Sequence, residues 1–179
     1  PLTCMFVARF TANKGIHILI KAIEELNAEG YQDKFRFEIA GKGPLYNFYK
    51  EKFSLPNIHY WGFISDDDLN QLYRNADVFV FPTLFEGMPT VVLEAMTRSQ
   101  IIIVSDVGAT AELVDESNGY LIKKNNVNAL KDALLTTLNL SAAEKSSKSS
   151  MSYTKAVMRF SWPIVAEGHY ELFKSISGK

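Results

Sequence analysis

Short apolar runs alternate along the chain with longer stretches whose apolar residues recur at helical spacing. The runs are Cys4–Ala8, Phe35–Ala40, Ile58–Trp61, Val78–Phe81, Ile101–Ser105 and Gly119–Ile122. Several are rich in β-branched and aromatic residues and read as strands buried on both faces. Between them, Gly15–Ala28 carries Ile16, Leu19, Ile20, Ile23 and Leu26 on one helical face. Leu45–Phe53, Ser65–Asn75, Pro89–Ser99, Ala109–Asp115 and Val127–Leu138 are further helices, the second of these opened by Ser65 with Asp68 three positions on. Ser141–Ser152 is polar and rich in Ser and Lys, and reads as either a solvated helix or a loose connection. Trp162–Ile176 is a final amphipathic helix, capped by Ser161 with Pro163 in its first turn. Strands alternating with helices predict an α/β fold: a Rossmann-like, parallel, six-stranded sheet flanked by helices on both faces. Ligands of such sheets bind beyond the carboxyl ends of the strands.

With 179 residues the chain is large enough for one domain with its own core. A net charge of −1 gives no basic surplus for nucleic acid, so no nucleic-acid partner is expected. One cysteine, Cys4, sits in an apolar run and is expected in the core, so no disulfide framework forms within the chain. No apolar run approaches the ~18 residues that span a bilayer. The chain enters a strand directly from Pro1 and reads as cut from a longer protein. A cytoplasmic location is expected, with the longer protein able to sit at the inner face of the membrane.

The candidate chemistry lies on the turns that follow the strands. Glu86 and Glu94 are eight positions apart, across a segment that reads as the start of a helix. Gly87 permits a sharp turn and close approach of a ligand. Pro89 suits the first helical position, where no N–H is needed. A strand, a turn and a helix N-terminus form an anion site. Carboxylates there repel phosphate but accept from hydroxyls, so a ligand with both groups, a nucleotide sugar, satisfies the segment. Arg9 ends the first strand and Lys14 begins the first helix, which puts two cations at the ligand edge where they can neutralise a diphosphate. Gly41-Lys42-Gly43 follows the second strand and either approaches the ligand or simply makes a tight βα turn. Gly62 between Trp61 and Phe63 suggests a flat wall for a base, with Trp61 itself expected in the core. Asp106 is expected to cap the helix after the fifth strand, or else to steady the Glu86 loop. The Asp66–Asp68 triplet reads as the acidic first turn of a helix rather than a metal motif. His17, His59 and His169 share no ligand spacing, so no metal is expected. No Ser or Cys nucleophile motif is present.

These segments together resemble a known family. Ala8-Arg9-Phe10 with Lys14-Gly15, Ala40-Gly41-Lys42-Gly43-Pro44, Trp61-Gly62-Phe63, Ala76–Pro82 and Glu86-Gly87-Met88-Pro89 with Glu94-Ala95-Met96 resemble the retaining glycosyltransferases of family 4, the "glycosyl transferases group 1" domain of the GT-B fold. Asn118–Ile122 and Phe160-Ser161-Trp162 also fit, so nearly the whole chain is covered in order. The resemblance implies the C-terminal, donor-binding half of a two-domain enzyme. Residues 1–160 would form the nucleotide-sugar domain, and 161–179 a helix crossing towards an N-terminal domain.

By that resemblance, Arg9 and Lys14 bind the donor diphosphate and Glu86 contacts hydroxyls of the donor sugar at the reacting centre. Glu94 accepts from the ribose hydroxyls. Gly87 and the amides of Met88, Thr90 and Val91 receive the distal phosphate, and the base lies at Phe63 and Ile64. Gly41 and Gly43 complete the donor site. Members more often carry Phe-Gly where this chain has Met88-Pro89. No metal or other cofactor is implied. The substrate is a nucleotide-diphosphate sugar, and the acceptor, a glycan or lipid-linked glycan, is held by the N-terminal domain. Bacterial surface polysaccharide synthesis is the expected setting. A GT-B nucleotide-sugar epimerase and a non-catalytic nucleotide-binding module are the competing readings. The order of Arg9, Lys14 and Glu86 disfavours the first, and the retention of all four charged residues disfavours the second.

Overall fold

The computed structural model describes residues 1–177. Six strands, β1 (Leu2–Val7), β2 (Phe35–Ala40), β3 (Ile58–Gly62), β4 (Val78–Phe81), β5 (Ile101–Ser105) and β6 (Gly119–Ile122), form one sheet in the order β3-β2-β1-β4-β5-β6. Every pairing is parallel, with Leu2 opposite Phe35 and Cys4 opposite Val78. Every residue of β4 and β5 is buried, as the unbroken apolar runs Val78–Phe81 and Ile101–Val104 require. The connecting helices are α1 (Ile16–Ala28), α2 (Tyr46–Lys52), α3 (Asp66–Asn75), α4 (Thr90–Thr97), α5 (Thr110–Leu113) and α6 (Val127–Asn139), followed by α7 (Ala142–Phe160) and α8 (Trp162–Ser177).

The sheet order places β1 and β4, which are far apart in sequence, side by side. From β1 the chain steps one way across the sheet, and from β4 it steps the other way. Right-handed crossovers then send α1 and α4 to opposite faces. Accordingly α1 packs on α6, and α4 packs on α7. The carboxyl ends of β1 and β4 are thus the point where the winding reverses, and a crevice opens there.

The expected strands and helices are all present, with ends shifted by a residue or two. The loose-connection reading of Ser141–Ser152 is corrected. The segment is the first part of the 19-residue α7, and Ser141 and Glu144 close a full capping box at its start. Buried Ser152 and Ala156 are the positions α7 turns inwards. Trp61 is also corrected. It is 38% exposed, because its indole N–H donates to Glu38 Oε2 at 2.7 Å. Glu38 is a buried carboxylate on the same sheet face. It receives Arg36 Nε at 2.5 Å and faces His59 Nδ1 at 3.0 Å, which offsets its desolvation. Cys4 packs in the core as expected, where burial first and the Asp77 charge second push its thiol up and keep it neutral. Ser65 caps α3 by accepting from the Asp68 amide at 3.2 Å, so the Asp triplet does lie in a first helical turn.

Helix α7 is tied to the loop before β6 by Lys155, which donates to Asp115 Oδ2 at 2.5 Å and Asn118 Oδ1 at 3.0 Å. The Lys155 bond, then those from Ser117, hold the Asp115 carboxyl down at about 2. An unfolded Asp titrates at about 3.9, so the folded state favours the ionised form. This contribution is complete above about pH 4 and fades as the pH falls towards 2. In Lys155→Met, urea unfolding between pH 5 and 2 should show a shallower loss of stability than in the parent chain. An identical pH profile would mean that the pair does not couple to folding.

In α8 none of the described residues is buried, and Trp162, Tyr170, Phe173 and Ile176 are exposed. Residues 178 and 179, the end of the expected terminal helix segment, lie outside the described residues. No described helix is long and apolar enough to cross a membrane.

Candidate active site

The turn after β1 is built on Phe10. Its ring is fully buried, edge-on to Phe6 and Tyr46 at 6.2 and 5.1 Å. Its amide donates to Lys42 O at 3.0 Å, which ties this turn to the one after β2. Anchoring Phe10 inwards leaves Arg9 exposed, with no carboxylate partner among the described residues. A single turn of tighter helix, Ala12–Lys14, then delivers Lys14 to the same edge.

The loop after β4 is fastened to that turn. The Asn13 carbonyl accepts from the Leu84 amide at 2.8 Å, and Thr83 Oγ1 lies 3.0 Å from it. Thr83 Oγ1 is also 3.2 Å from Glu86 Oε1. The same Glu86 oxygen receives Lys14 Nζ at 2.5 Å, with the two side chains 13% and 25% exposed. Lys14 Nζ also stands 5.7 Å from the centre of the Phe81 ring. The cation expected to meet phosphate and the carboxylate expected to meet sugar are therefore paired with each other across 72 residues of sequence.

Pro89 differs from expectation. Its backbone is extended (ψ 108°), so it is the cap of α4, and Thr90 is the first helical residue. The N-terminus of α4 stays open. The Met88, Thr90 and Val91 amides have no acceptor among the described residues, whereas Val92 N donates to Pro89 O at 3.1 Å. The expected role of Asp106 is corrected as well. Thr110 Oγ1 accepts from Val107 N at 3.0 Å and donates to the Ser105 carbonyl 2.8 Å away, closing the turn that Asp106 was to cap. The Glu86 loop is steadied instead by backbone: Ala109 N donates to Gly87 O at 2.9 Å, and Gly108 (φ +56°) packs on the Glu86 carbonyl.

Arg9, Lys14, Glu86, Met88, Thr90 and Val91 all line one cleft of about 230 Å³ at the ends of β1 and β4. Sites that enclose a whole drug-sized ligand run from ~300 Å³ upwards, so this cleft holds less than a whole one. Gly87, between Glu86 and Met88 in the chain, is not among the residues that line it. Gly41 and Gly43 lie on the neighbouring turn, and both are explained by packing. A Cβ on Gly41 would sit 1.9 Å from Ala8 O, and one on Gly43 would sit 2.6 Å from Phe10 O. Phe63 is 75% exposed, with Lys42 Nζ 5.5 Å from its ring centre, and Ile64 follows it, half-buried. Glu94 does not enter the Glu86 cleft. It lines a second cleft, of about 310 Å³, between α3 and α4, where its Oε2 accepts from Tyr73 OH at 2.9 Å. The two glutamates therefore face different spaces, unlike the paired carboxylates of a glycosidase. Among the described residues, no three His, Cys, Asp or Glu side chains are grouped to hold a metal.

Residues 1–139 match the family model described as "Glycosyl transferases group 1". The chain belongs to that family. An uncharacterised glycosyltransferase of Methanocaldococcus jannaschii is 31% identical over 178 residues, 97% of this chain and 48% of that protein. The capsular polysaccharide biosynthesis glycosyltransferase CapM of Staphylococcus aureus is 29% identical over 140 residues, 75% of this chain and 36% of its own. The chain thus spans less than half the length of the curated relatives it matches here. In fold, it matches Anabaena HepE, solved in complex with UDP, with a TM-score of 0.83 at 20% identity, over 97% of this chain and 49% of that one. The glycosyl transferases group 1 chain thus has the fold of the C-terminal domain of a GT-B glycosyltransferase.

Proposed function

We propose that this chain is the donor-binding domain of a retaining glycosyltransferase that takes a hexosyl group from a nucleotide-diphosphate sugar. The observation that carries this reading is the convergence of Arg9, Lys14, Glu86 and the open amides of α4 on one cleft at the reversal of the sheet. That HepE was solved with UDP supports a nucleotide diphosphate as the ligand class. As the sugar–phosphate bond breaks, negative charge grows on the leaving diphosphate. Arg9, Lys14 and the α4 N-terminus face that charge and bind it more strongly as it develops, which is the condition for catalysis. Glu86 faces the positive character that develops on the anomeric carbon, and Glu94 holds the ribose beyond it. Arg9 and Lys14 supply the charge that a divalent cation supplies elsewhere, so the full-length enzyme should tolerate a chelator.

The acceptor, a glycan or lipid-linked glycan, would be held by an N-terminal domain, and the exposed aromatic side chains of α8 would pack against it. A cytoplasmic enzyme of surface polysaccharide synthesis, able to rest on the inner membrane face, fits these parts. The match to CapM agrees with that setting. The test is calorimetry of the chain with UDP, GDP and ADP, repeated on Lys14→Ala and Glu94→Ala. One nucleotide should bind and both substitutions should weaken it; binding that neither changes would refute the site. The same preparation should transfer little or no sugar without the acceptor half, and brisk transfer would sink that part of the reading.

A further inference from the structure

Glu94 is exposed on α4, one turn inside the helix, and its carboxylate is half committed. Oε2 accepts from Tyr73 OH at 2.9 Å, while Oε1 has no partner among the described residues. Tyr73 is fixed at both ends. It is 3% exposed, its ring lies 6.2 Å from that of Phe79, and its carbonyl accepts from the buried Gln100 Nε2 at 2.6 Å. Arg98 donates to Asn70 at 2.7 Å and stitches α4 to α3 beside it. The phenol hydroxyl is therefore a stationary donor. Burial first, and the Glu94 charge second, push its titration up, so it keeps its proton. An exposed glutamate on a helix samples several rotamers. Here one oxygen is tied to a rigid point, and the other is left to face the α3–α4 cleft.

We propose that Tyr73 is a positioning residue that fixes Glu94, and that the pair makes the site selective for nucleotides with an intact ribose diol. The inference rests on the reading of Glu94 as the ribose acceptor. A freely rotating carboxylate can turn to whichever hydroxyl remains, and so tolerates the loss of one. A carboxylate held in one orientation leaves a polar group unpaired when the hydroxyl it faces is missing, and discrimination follows from that.

The experiment is calorimetry with UDP, 2′-deoxy-UDP and 3′-deoxy-UDP, with the guanosine and adenosine series in parallel. The proteins are the chain, Tyr73→Phe, Glu94→Ala and the double variant. Tyr73→Phe keeps the ring against Phe79 and the Gln100 bond to the backbone, so the thermal midpoint should hold. The parent should prefer the intact diol by roughly tenfold over at least one deoxy analogue, Tyr73→Phe by roughly threefold or less, and Glu94→Ala hardly at all. The double variant should match Glu94→Ala, since Tyr73 acts only through Glu94. If Tyr73→Phe keeps the full preference while Glu94→Ala loses it, Tyr73 is merely structural: the inference falls and the functional reading stands. If Glu94→Ala changes neither affinity nor preference in any series, the reading of Glu94 itself fails and takes the inference with it.

Discussion

Lys14→Met should weaken nucleotide-diphosphate binding by about 10- to 100-fold, the size expected for one charge-assisted contact to a phosphate. Met keeps the approximate length and apolar stem of Lys, while the charge, and with it the cation 5.7 Å from the centre of the Phe81 ring, is lost. The substitution should also lower folding stability, because Glu86, only 13% exposed, loses its cation. Glu86→Gln separates these two effects. In the free protein Lys14 is already spoken for by Glu86 at 2.5 Å, and an arriving diphosphate must share that cation while facing the carboxylate's charge. Removing the charge should therefore tighten UDP, GDP or ADP binding, by roughly 3- to 10-fold for the nucleotide that fits. Sugar transfer by the full-length enzyme should fall at the same time. A Glu86→Gln chain that binds nucleotide more weakly would show that Glu86 serves chiefly to hold Lys14 in place and does not compete with the diphosphate.

That pairing marks where the sequence stopped being informative. The strands and helices could be read because each is a local pattern: Val78–Phe81 and Ile101–Val104 are unbroken apolar runs, and Ser65 with Asp68 forms a cap within four residues. The site residues could be placed at the ligand edge because each follows a strand, and six of them do share a cleft. What could not be read is which side chains meet. Lys14 with Glu86, and Tyr73 with Glu94, are contacts across 72 and 21 residues, set by the sheet order rather than by any spacing. Glu38 did leave a signal, since a carboxylate within the apolar run Phe35–Ala40 requires partners; the exposure of Trp61 follows from answering it. The two glycines after β2 leave both readings of their turn standing. A Gly-x-Gly turn allows close approach of a backbone or a ligand, and the protein's own backbone at Ala8 and Phe10 is one such approach.

Gly108 is a position where a single added carbon should damage the site without touching any of its side chains. Its φ of +56° is one that L residues adopt at a cost of about 1–2 kcal/mol. A Cβ there would also stand 2.0 Å from the Glu86 carbonyl oxygen and 2.9 Å from that of Gly87, distances no real contact sustains. Neither atom can yield alone, since Ala109 N holds the Gly87 carbonyl at 2.9 Å and Thr83 holds the Glu86 side chain. Gly108→Ala should therefore cost about 2–4 kcal/mol in urea unfolding, and the surviving folded protein should bind nucleotide diphosphate poorly because the Glu86 loop has been pushed off the cleft. Gly30→Ala is the control. Its φ is +88° but a Cβ would meet nothing within 4 Å, so it should lose only the backbone term, about 1 kcal/mol, and bind nucleotide as the parent does. If the two variants prove equally stable and equally able to bind, the loop after β5 does not brace the Glu86 loop, and the cleft must be held open by the Asn13 and Thr83 contacts alone.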